Sequence, residues 1–269
     1  MNYDMQLEWI QTLHRALRSR PMDLFFLGWD YVDSMGFVIL VVSFVLFLCN
    51  RKVGLKIFYI FAIGVILNIL FKNLFALPRP CQIDLSVGLR CSTSYGFPSG
   101  GAESALLYAG VLWIECKKAS WRIAGIIFAL ILSFSRVYLG LHYFTDILGG
   151  WALAALLLAV YYWVFPKCEK QWKLWAFLIP LVPLIVLREQ GWFFLGILLG
   201  AALGLLFKLK VVRSVLHKSL QATVTAGGGI GLFLCSLKWP QYTFFFSLLG
   251  GFWLMFLGAY IATPLKAHS

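Results

Sequence analysis

Apolar runs of membrane-spanning length recur along this chain, and they restrict its fold more than any other feature. The run at 242–262 has about the 20 residues that an α-helix needs to cross roughly 30 Å of hydrocarbon, and a shorter run covers 34–49. Charged residues make up only 13% of the sequence, whereas soluble domains carry about 25%. The mean hydropathy is +0.84. The pattern excludes an ordinary soluble globular protein and predicts an all-α, polytopic membrane helix bundle.

Nine membrane-spanning helices are predicted from these runs. Their approximate bounds are 34–49, 56–76, 99–115, 121–135, 146–165, 174–188, 191–207, 220–237 and 241–262. The stretch 174–207 has a second interpretation, in which it forms a re-entrant hairpin. We divide the chain into an N-terminal segment (1–33), a membrane core (34–165) and additional C-terminal membrane helices (166–269).

The N-terminal segment has an amphipathic pattern. Leu7, Ile10, Leu13 and Leu17 recur at helical spacing, opposite charged residues. One interpretation is a helix that lies in the membrane interface. The alternative is a helix that packs on the protein's own loops.

The net charge of +12 is distributed over short loops, which is typical of a topology signal and not of a nucleic-acid-binding arm. With nine spans, 14 of the 23 lysines and arginines fall on one side of the membrane. The positive-inside rule makes that side cytoplasmic. We expect the C-terminus to be cytoplasmic and the N-terminus to lie outside.

Polar residues concentrate in three places at the ends of predicted spans. The first is Lys72 to Pro80, the second is Phe97 to Gly101, and the third is Ser135 to Asp146. The span count places all three on the outer side, which faces the periplasm, a lumen or the exterior. Because charged groups near membrane helix ends are costly, this agreement indicates a functional site.

The residue types in these clusters suit phosphoryl transfer. Lys72, Arg79 and Arg136 can bind phosphate oxygens, and the guanidinium groups of the two arginines match these oxygens bidentately. Ser99 and Gly100 open a predicted helix, whose first amide groups form an anion site.

The third cluster contains a candidate nucleophile. His142 and Asp146 are four residues apart, so on a helical turn the carboxylate can hold one imidazole nitrogen and leave the other free. The pattern predicts a phosphohistidine intermediate.

The set Lys72-x6-Arg79-Pro80, Pro98-Ser99-Gly100 and Ser135-Arg136-x5-His142-x3-Asp146 resembles the signature of the type 2 phosphatidic acid phosphatase (PAP2) superfamily. That superfamily also contains glucose-6-phosphatases, sphingosine-phosphate phosphatases, undecaprenyl diphosphate phosphatases and vanadium haloperoxidases. The resemblance implies that the core 34–165 is catalytic and needs no divalent metal or other cofactor. The residues it assigns to phosphate binding are Lys72, Arg79, Ser99, Gly100 and Arg136. It makes His142 the nucleophile and Asp146 the residue that orients it.

Position 101 departs from the family pattern. The second motif of the family ends in a histidine that protonates the leaving group, and this chain has Gly101 there. Loss of a general acid costs about 10²–10⁴-fold in rate, so we expect impaired catalysis. A substitution introduced to slow turnover and a naturally weakened homologue both fit this departure. Glu103 is a candidate substitute acid, or it is a charge that stabilises the start of the helix.

Metal-ligand spacings are absent from the sequence. The four histidines lie far apart and the six cysteines lack CxxC spacing, so no metal site is expected. Cys81 and Cys91 flank the loop between the first two clusters. In an oxidising compartment they could form a disulfide, and two free thiols are the alternative.

The expected function is hydrolysis of a lipid phosphate, a polyprenyl diphosphate or a sugar phosphate, with membrane lipids as surroundings. Nine spans with the C-terminus inside resemble the layout of the glucose-6-phosphatases, which keeps a sugar phosphate open. Two alternatives remain: a lipid phosphotransferase that uses the same site, and a non-catalytic binder of lipid phosphates. The oligomeric state is not indicated by the sequence.

Overall fold

The computed structural model describes residues 3–167, 179, 191–207, 209 and 214–263, and the regular structure in these ranges is helical. The helices in chain order are α1 (Tyr3–Leu17), α2 (Arg20–Val32), α3 (Met35–Phe44), α4 (Arg51–Phe75), α5 (Pro80–Ile83), α6 (Gly100–Glu115), α7 (Ala119–Tyr138), α8 (Phe144–Ala159), α9 (Gly191–Gly204), α10 (Val215–Lys238), α11 (Thr243–Phe252) and α12 (Gly258–Ile261). Single π-helical turns follow α3, α8 and α11, at Val45–Cys49, Val160–Val164 and Trp253–Leu257.

Five helical segments in the described part of the chain are long and apolar enough to cross a membrane, and the protein is an integral membrane protein. They are Arg51–Ile83, Ala119–Tyr138, Phe144–Val164, Val215–Lys238 and Pro240–Ile261. A sixth is added if Arg20–Val32 and Met35–Cys49 count as one broken span.

The prediction of nine spans is not confirmed. The predicted spans at 99–115 and 191–207 form helices of 16 and 14 residues, shorter than the roughly 20 residues that a full crossing needs. The predicted span at 174–188 lies outside the described residues, apart from Ile179.

The helices group into two compact units. The first unit contains residues 1–34 and 63–164, and the second contains residues 35–62 and 165–269. These units differ from the predicted segments 1–33, 34–165 and 166–269. The N-terminal helices belong to the same unit as the helices that carry the polar clusters, and residues 35–62 belong to the other unit. The predicted division itself stays a prediction.

In the first unit, α6 packs between α7 and α8. Small side chains allow this close approach: Ala105 and Ala109 of α6 are buried against Ala129 of α7. On the other side of α6, a Cβ atom at Gly150 of α8 would overlap the carbonyl oxygen of Ser99. The start of α6 is therefore held directly against the first turns of α8.

The N-terminal helix α1 packs on the same unit. Ile10 is fully buried, Nε2 of His14 donates a hydrogen bond to the carbonyl oxygen of Tyr138 over 2.7 Å, and Nε2 of Gln11 donates to Asp84 over 3.0 Å. The apolar face of this helix thus contacts the end of α7 and the loop after α5. An interfacial amphipathic helix is not confirmed.

In the second unit, the glycines of α9 allow a close approach to α11. Cβ atoms at Gly196 and Gly200 would overlap Ser247 and the carbonyl oxygen of Leu248. Small residues at four-residue spacing are typical of tightly packed membrane helices.

Candidate active site

The three polar clusters come together in the first unit. Nζ of Lys72 donates to the carbonyl oxygen of Pro98 over 2.8 Å, which joins the first cluster to the second. The amide of Ser99 donates to the carbonyl oxygen of Asp146 over 2.9 Å, which joins the second cluster to the third.

Each of these residues lies at or near the end of a helix. Lys72 is in the last turn of α4, Arg79 precedes α5, and Ser99 caps α6. Arg136 is in the last turn of α7, His142 lies in the α7–α8 loop, and Asp146 is in the first turn of α8.

The imidazole of His142 lies between a cation and a carboxylate. Nη1 of Arg79 is 3.0 Å from Nε2 of His142, and Nδ1 of His142 is 3.3 Å from Oδ2 of Asp146. A guanidinium group can only donate, so Nε2 accepts and carries the lone pair. The proton is then on Nδ1, which donates to Asp146. Asp146 is fixed in turn by the amide of Tyr143, which donates to its Oδ2 over 2.9 Å.

The electrostatic surroundings keep His142 neutral. Burial is the largest cause that lowers the pKa of His142 well below 6.5, and only 4% of the residue is exposed. The positive charges of Arg79, Lys72 and Arg136 lower the pKa further, in that order. A neutral imidazole with its lone pair on Nε2 is the form that a nucleophile requires.

Lys72 and Arg79 are oriented by backbone carbonyl groups. Nζ of Lys72 donates to the carbonyl oxygens of Tyr95, Gly96 and Pro98 at 2.8–3.1 Å. Arg79 donates from Nε to the carbonyl oxygen of Ser94 over 2.7 Å and from Nη2 to its hydroxyl over 2.8 Å. The loop before α6 thus sets the direction of both cations.

Arg136 has two carboxylate partners that the sequence analysis missed. Its Nη1 donates to Oδ1 of Asp30 over 2.9 Å and to Oδ2 of Asp33 over 3.1 Å. Arg136 is only 2% exposed, and an unpaired charge there would be costly. The sequence did contain a sign of this contact. Asp30 and Asp33 are three residues apart at the edge of an apolar run, where a charged side chain requires a partner.

The start of α6 has the capped helix start on which the prediction of an anion site rests. The hydroxyl of Ser99 accepts a hydrogen bond from the amide of Ala102 over 3.3 Å, so Ser99 is the N-cap. The first amides of a helix lack an intrahelical acceptor, and those of Gly100 and Gly101 are in this position. Gly101 has no side chain that could donate a proton.

Glu103 and Asn68 form a separate buried pair. Nδ2 of Asn68 donates to Oε2 of Glu103 over 2.7 Å, and Oε1 lies where a side chain at Gly64 of α4 would be. Glu103 therefore faces α4 and not the neighbours of Gly101.

Cys81 and Cys91 are joined by a disulfide in this structure. The amide of Cys81 donates to the carbonyl oxygen of Gly140 over 3.1 Å. Gly140 has φ +71°, a left-handed conformation that favours glycine. These contacts attach the loop that carries Arg79 to the loop that carries His142.

The described residues contain no group of three or more His, Cys, Asp and Glu side chains that could hold a metal ion. They do contain three cations, a helix start and an oriented imidazole around one place. This arrangement can bind a tetrahedral oxyanion and attack it with Nε2 of His142.

The sequence profile of the PAP2 superfamily matches residues 53–170. An undecaprenyl-diphosphatase of Sulfolobus acidocaldarius is 34% identical over 108 residues, which cover 39% of this chain and 52% of that protein. Phosphatidylglycerophosphatase B of Bacillus subtilis is 33% identical over 114 residues, which cover 39% of this chain and 54% of that protein. A dihydrosphingosine 1-phosphate phosphatase of Saccharomyces cerevisiae is 24% identical over 173 residues, which cover 60% of this chain and 43% of that protein. The chain thus spans about half the length of the curated relatives it matches.

A solved structure has the same fold over most of its length. The crystal structure of a transmembrane PAP2 type phosphatidylglycerolphosphate phosphatase from Bacillus subtilis superimposes with a TM-score of 0.53 and 24% identity. The match covers 64% of this chain and 88% of that structure. The polar clusters described above, from Lys72 to Asp146, all lie within the segment that the family profile matches. The chain contains a PAP2 superfamily domain at residues 53–170.

Proposed function

We propose that the protein is a membrane phosphatase that hydrolyses a lipid phosphate or a polyprenyl diphosphate through a phosphohistidine at His142. The observation that carries the proposal is the hydrogen bond from Arg79 to Nε2 of His142, with Nδ1 on Asp146. This contact leaves the lone pair of the imidazole on the side of the phosphate-binding cations. The names of the relatives favour a lipid substrate over a sugar phosphate.

The reaction has two steps. Nε2 of His142 attacks phosphorus, the bond to the leaving oxygen breaks, and that oxygen takes up a proton. Water then attacks the phosphorus atom of phosphohistidine, Nε2 is released, and inorganic phosphate and a proton are formed. Lys72, Arg79, Arg136 and the amides at the start of α6 stabilise the charge on the phosphoryl oxygens.

Gly101 affects the first step. A glycine supplies no proton to the leaving oxygen, so alkoxide leaving groups require another donor or leave slowly. Phosphate and p-nitrophenolate are more stable anions and depend less on a donor. We propose that hydrolysis of alkyl phosphates by this protein depends on a proton donor other than residue 101.

A phosphate-release panel tests the function. The purified protein is assayed with phosphatidic acid, a sphingoid-base phosphate, farnesyl diphosphate and glucose 6-phosphate, beside His142→Ala. We expect release from at least one lipid substrate and none with His142→Ala. Release only in the presence of an acceptor lipid would favour a phosphotransferase. Binding of vanadate without release from any substrate would favour a non-catalytic binder.

We also propose that the site faces the periplasm, a lumen or the exterior, with a cytoplasmic C-terminus. The distribution of lysines and arginines over the loops supports this orientation.

A further inference from the structure

The side chain of Asp33 lies beside Gly101. Asp33 follows α2, and its Oδ2 accepts the hydrogen bond from Nη1 of Arg136 over 3.1 Å. Its Oδ1 accepts from the hydroxyl of Ser104 over 3.3 Å, and Ser104 is one turn after Gly101 on α6. The carboxylate is therefore held by a residue of the candidate active site and by the helix face that contains Gly101.

The space that a side chain at position 101 would use is taken by this carboxylate. A Cβ atom built on Gly101 lies 2.6 Å from Oδ2 of Asp33 and 2.7 Å from Cδ of Arg136. Both distances are shorter than real Cβ contacts. A side chain at position 101 therefore requires the side chains of Asp33 and Arg136 to shift, and the glycine leaves room for the carboxylate.

Glu103 is poorly placed for the same role. Its two oxygens point to Asn68 and to Gly64 of α4, on another side of α6. Asp30 also binds Nη1 of Arg136, but the atoms nearest to Cβ at position 101 belong to Asp33 and Arg136. Among the acidic residues of this region, Asp33 is therefore the one that takes the place of a side chain at position 101.

We propose that Asp33 is the general acid of the reaction and replaces the histidine that Gly101 lacks; this rests on the proposed phosphatase function. As Nε2 of His142 bonds to phosphorus, the bond from phosphorus to the leaving oxygen breaks and the carboxyl proton of Asp33 moves to that oxygen. In the second step the Asp33 carboxylate takes a proton from the attacking water as the Nε2–phosphorus bond breaks. The carboxyl group is regenerated and no further reactant is needed.

Substrate binding supplies the protonated form of Asp33. A phosphate group competes for the guanidinium of Arg136, which in the free protein is bonded to Asp30 and Asp33. Once that bond is lost, the carboxylate lies next to an anion without its cation, and repulsion between the two negative charges favours uptake of one proton. The side chain of Asp33 is 25% exposed, so this proton can come from solvent.

The test compares Asp33→Asn with Asp30→Asn on two substrates. Both variants remove a carboxylate from Arg136, but only Asp33 lies at position 101. The substrates are phosphatidic acid, with an alkoxide leaving group, and p-nitrophenyl phosphate, whose leaving group needs little protonation. We expect Asp33→Asn to slow phosphatidic acid by about 10²–10⁴-fold and p-nitrophenyl phosphate by less than about tenfold. We expect Asp30→Asn to slow both by the same factor.

Equal slowing of both substrates by Asp33→Asn would overturn the proposal, because it would make Asp33 a positioning residue for Arg136. Unchanged rates would overturn it as well, and so would a wild type that hydrolyses only p-nitrophenyl phosphate. No release from any substrate by the wild type, or full activity in His142→Ala, would instead contradict the proposed function. Size-exclusion profiles in detergent establish that each variant is folded.

A reciprocal exchange gives a second measurement. Gly101→His alone places Cβ against Asp33 and should slow both substrates. The pair Asp33→Gly with Gly101→His removes the overlap with the carboxylate and supplies an imidazole. The measured quantity is the rate with phosphatidic acid divided by the rate with p-nitrophenyl phosphate. We expect Asp33→Gly alone to lower this ratio by about 10²-fold or more, and the pair to restore it to within about tenfold of the wild type. A ratio in the pair no better than in Asp33→Gly would contradict a shared acid position.

Discussion

Nη1 of Arg79 donates a hydrogen bond to Nε2 of His142 over 3.0 Å. Because arginine cannot accept, this contact fixes the imidazole tautomer with its proton on Nδ1, facing Asp146. Arg79 therefore does more than attract an anion: it holds the lone pair of Nε2 beside the phosphate-binding cations. Attack on phosphorus requires this contact to open, because the lone pair of Nε2 accepts it.

Asp146→Asn should weaken the tautomer control. An amide that donates to Nδ1 competes with the donation from Arg79 to Nε2, and it lacks the negative charge that stabilises the positive imidazole formed during attack. We expect a loss of about 10⁴-fold in kcat for phosphate release, comparable to the same exchange in a serine protease triad. Asp84→Asn is the matched control, because Asp84 is bonded to Gln11 and Ser86 outside the site. Equal activity of both variants would contradict the role of Asp146.

The lowered pKa of His142 predicts how activity depends on pH. The reactive imidazole is neutral, so activity is lost as the pH falls through the pKa of His142. Since burial and the three cations lower this pKa, the loss should occur well below pH 6.5. Arg79→Gln removes one positive charge, so it should raise the pKa and shift the acidic limb of the rate profile to higher pH.

The shift is measured as the difference between the wild type and Arg79→Gln on one substrate, p-nitrophenyl phosphate. The titration of the substrate itself is then common to both profiles. An acidic limb at the same pH in both proteins would show that Arg79 does not affect the ionisation of His142.

Arg79→Ala and Arg136→Ala should each weaken the binding of vanadate or tungstate, which mimic phosphate. Loss of a hydrogen bond to a charged ligand costs about 1.5–3 kcal/mol, or roughly 10–150-fold in Kd. Isothermal titration calorimetry measures the change. Arg18→Ala is the control, because this exposed arginine bonds to the carbonyl oxygen of Ser86. Wild-type affinity in both site variants would mean that these arginines do not bind the anion.

Removing the Cys81–Cys91 disulfide should weaken both the fold and the site. A disulfide contributes about 2–4 kcal/mol, and this one braces the loop next to Arg79. We expect the double variant Cys81→Ala, Cys91→Ala to melt at a lower temperature and to bind vanadate less tightly. Cys49→Ala, which removes an exposed free thiol, should change neither quantity.

Labelling of single cysteines tests the orientation. In a background whose unpaired cysteines are replaced by serine, Ser86→Cys should react with a membrane-impermeant maleimide in intact cells. Lys218→Cys should react only after permeabilisation. The reverse pattern would place the candidate active site on the cytoplasmic side.

The sequence by itself determined the class of fold and most of the candidate site. The apolar runs predict a helical membrane protein because the hydrocarbon layer sets a minimum length for each crossing helix. Phosphate chemistry was predicted from four residues near helix ends: Lys72, Arg79, Arg136 and His142. Charged groups are costly there, and three cations beside a possible nucleophile suit a phosphate group. The number of spans was harder to predict, because a run such as 99–115 forms a helix of 16 residues, shorter than a full crossing.

Only the tertiary structure showed that Asp33 and Arg136 lie next to Gly101. Asp30 and Asp33 lie about 70 residues before Gly101 and outside the segment matched by the PAP2 profile. Their contact with Arg136 depends on the packing of α2 against α7, which no local pattern encodes. The tautomer of His142 likewise depends on Arg79, which lies 63 residues earlier in the chain. Local spacing identifies which residues can react, whereas long-range packing decides the partner and the proton that each of them holds.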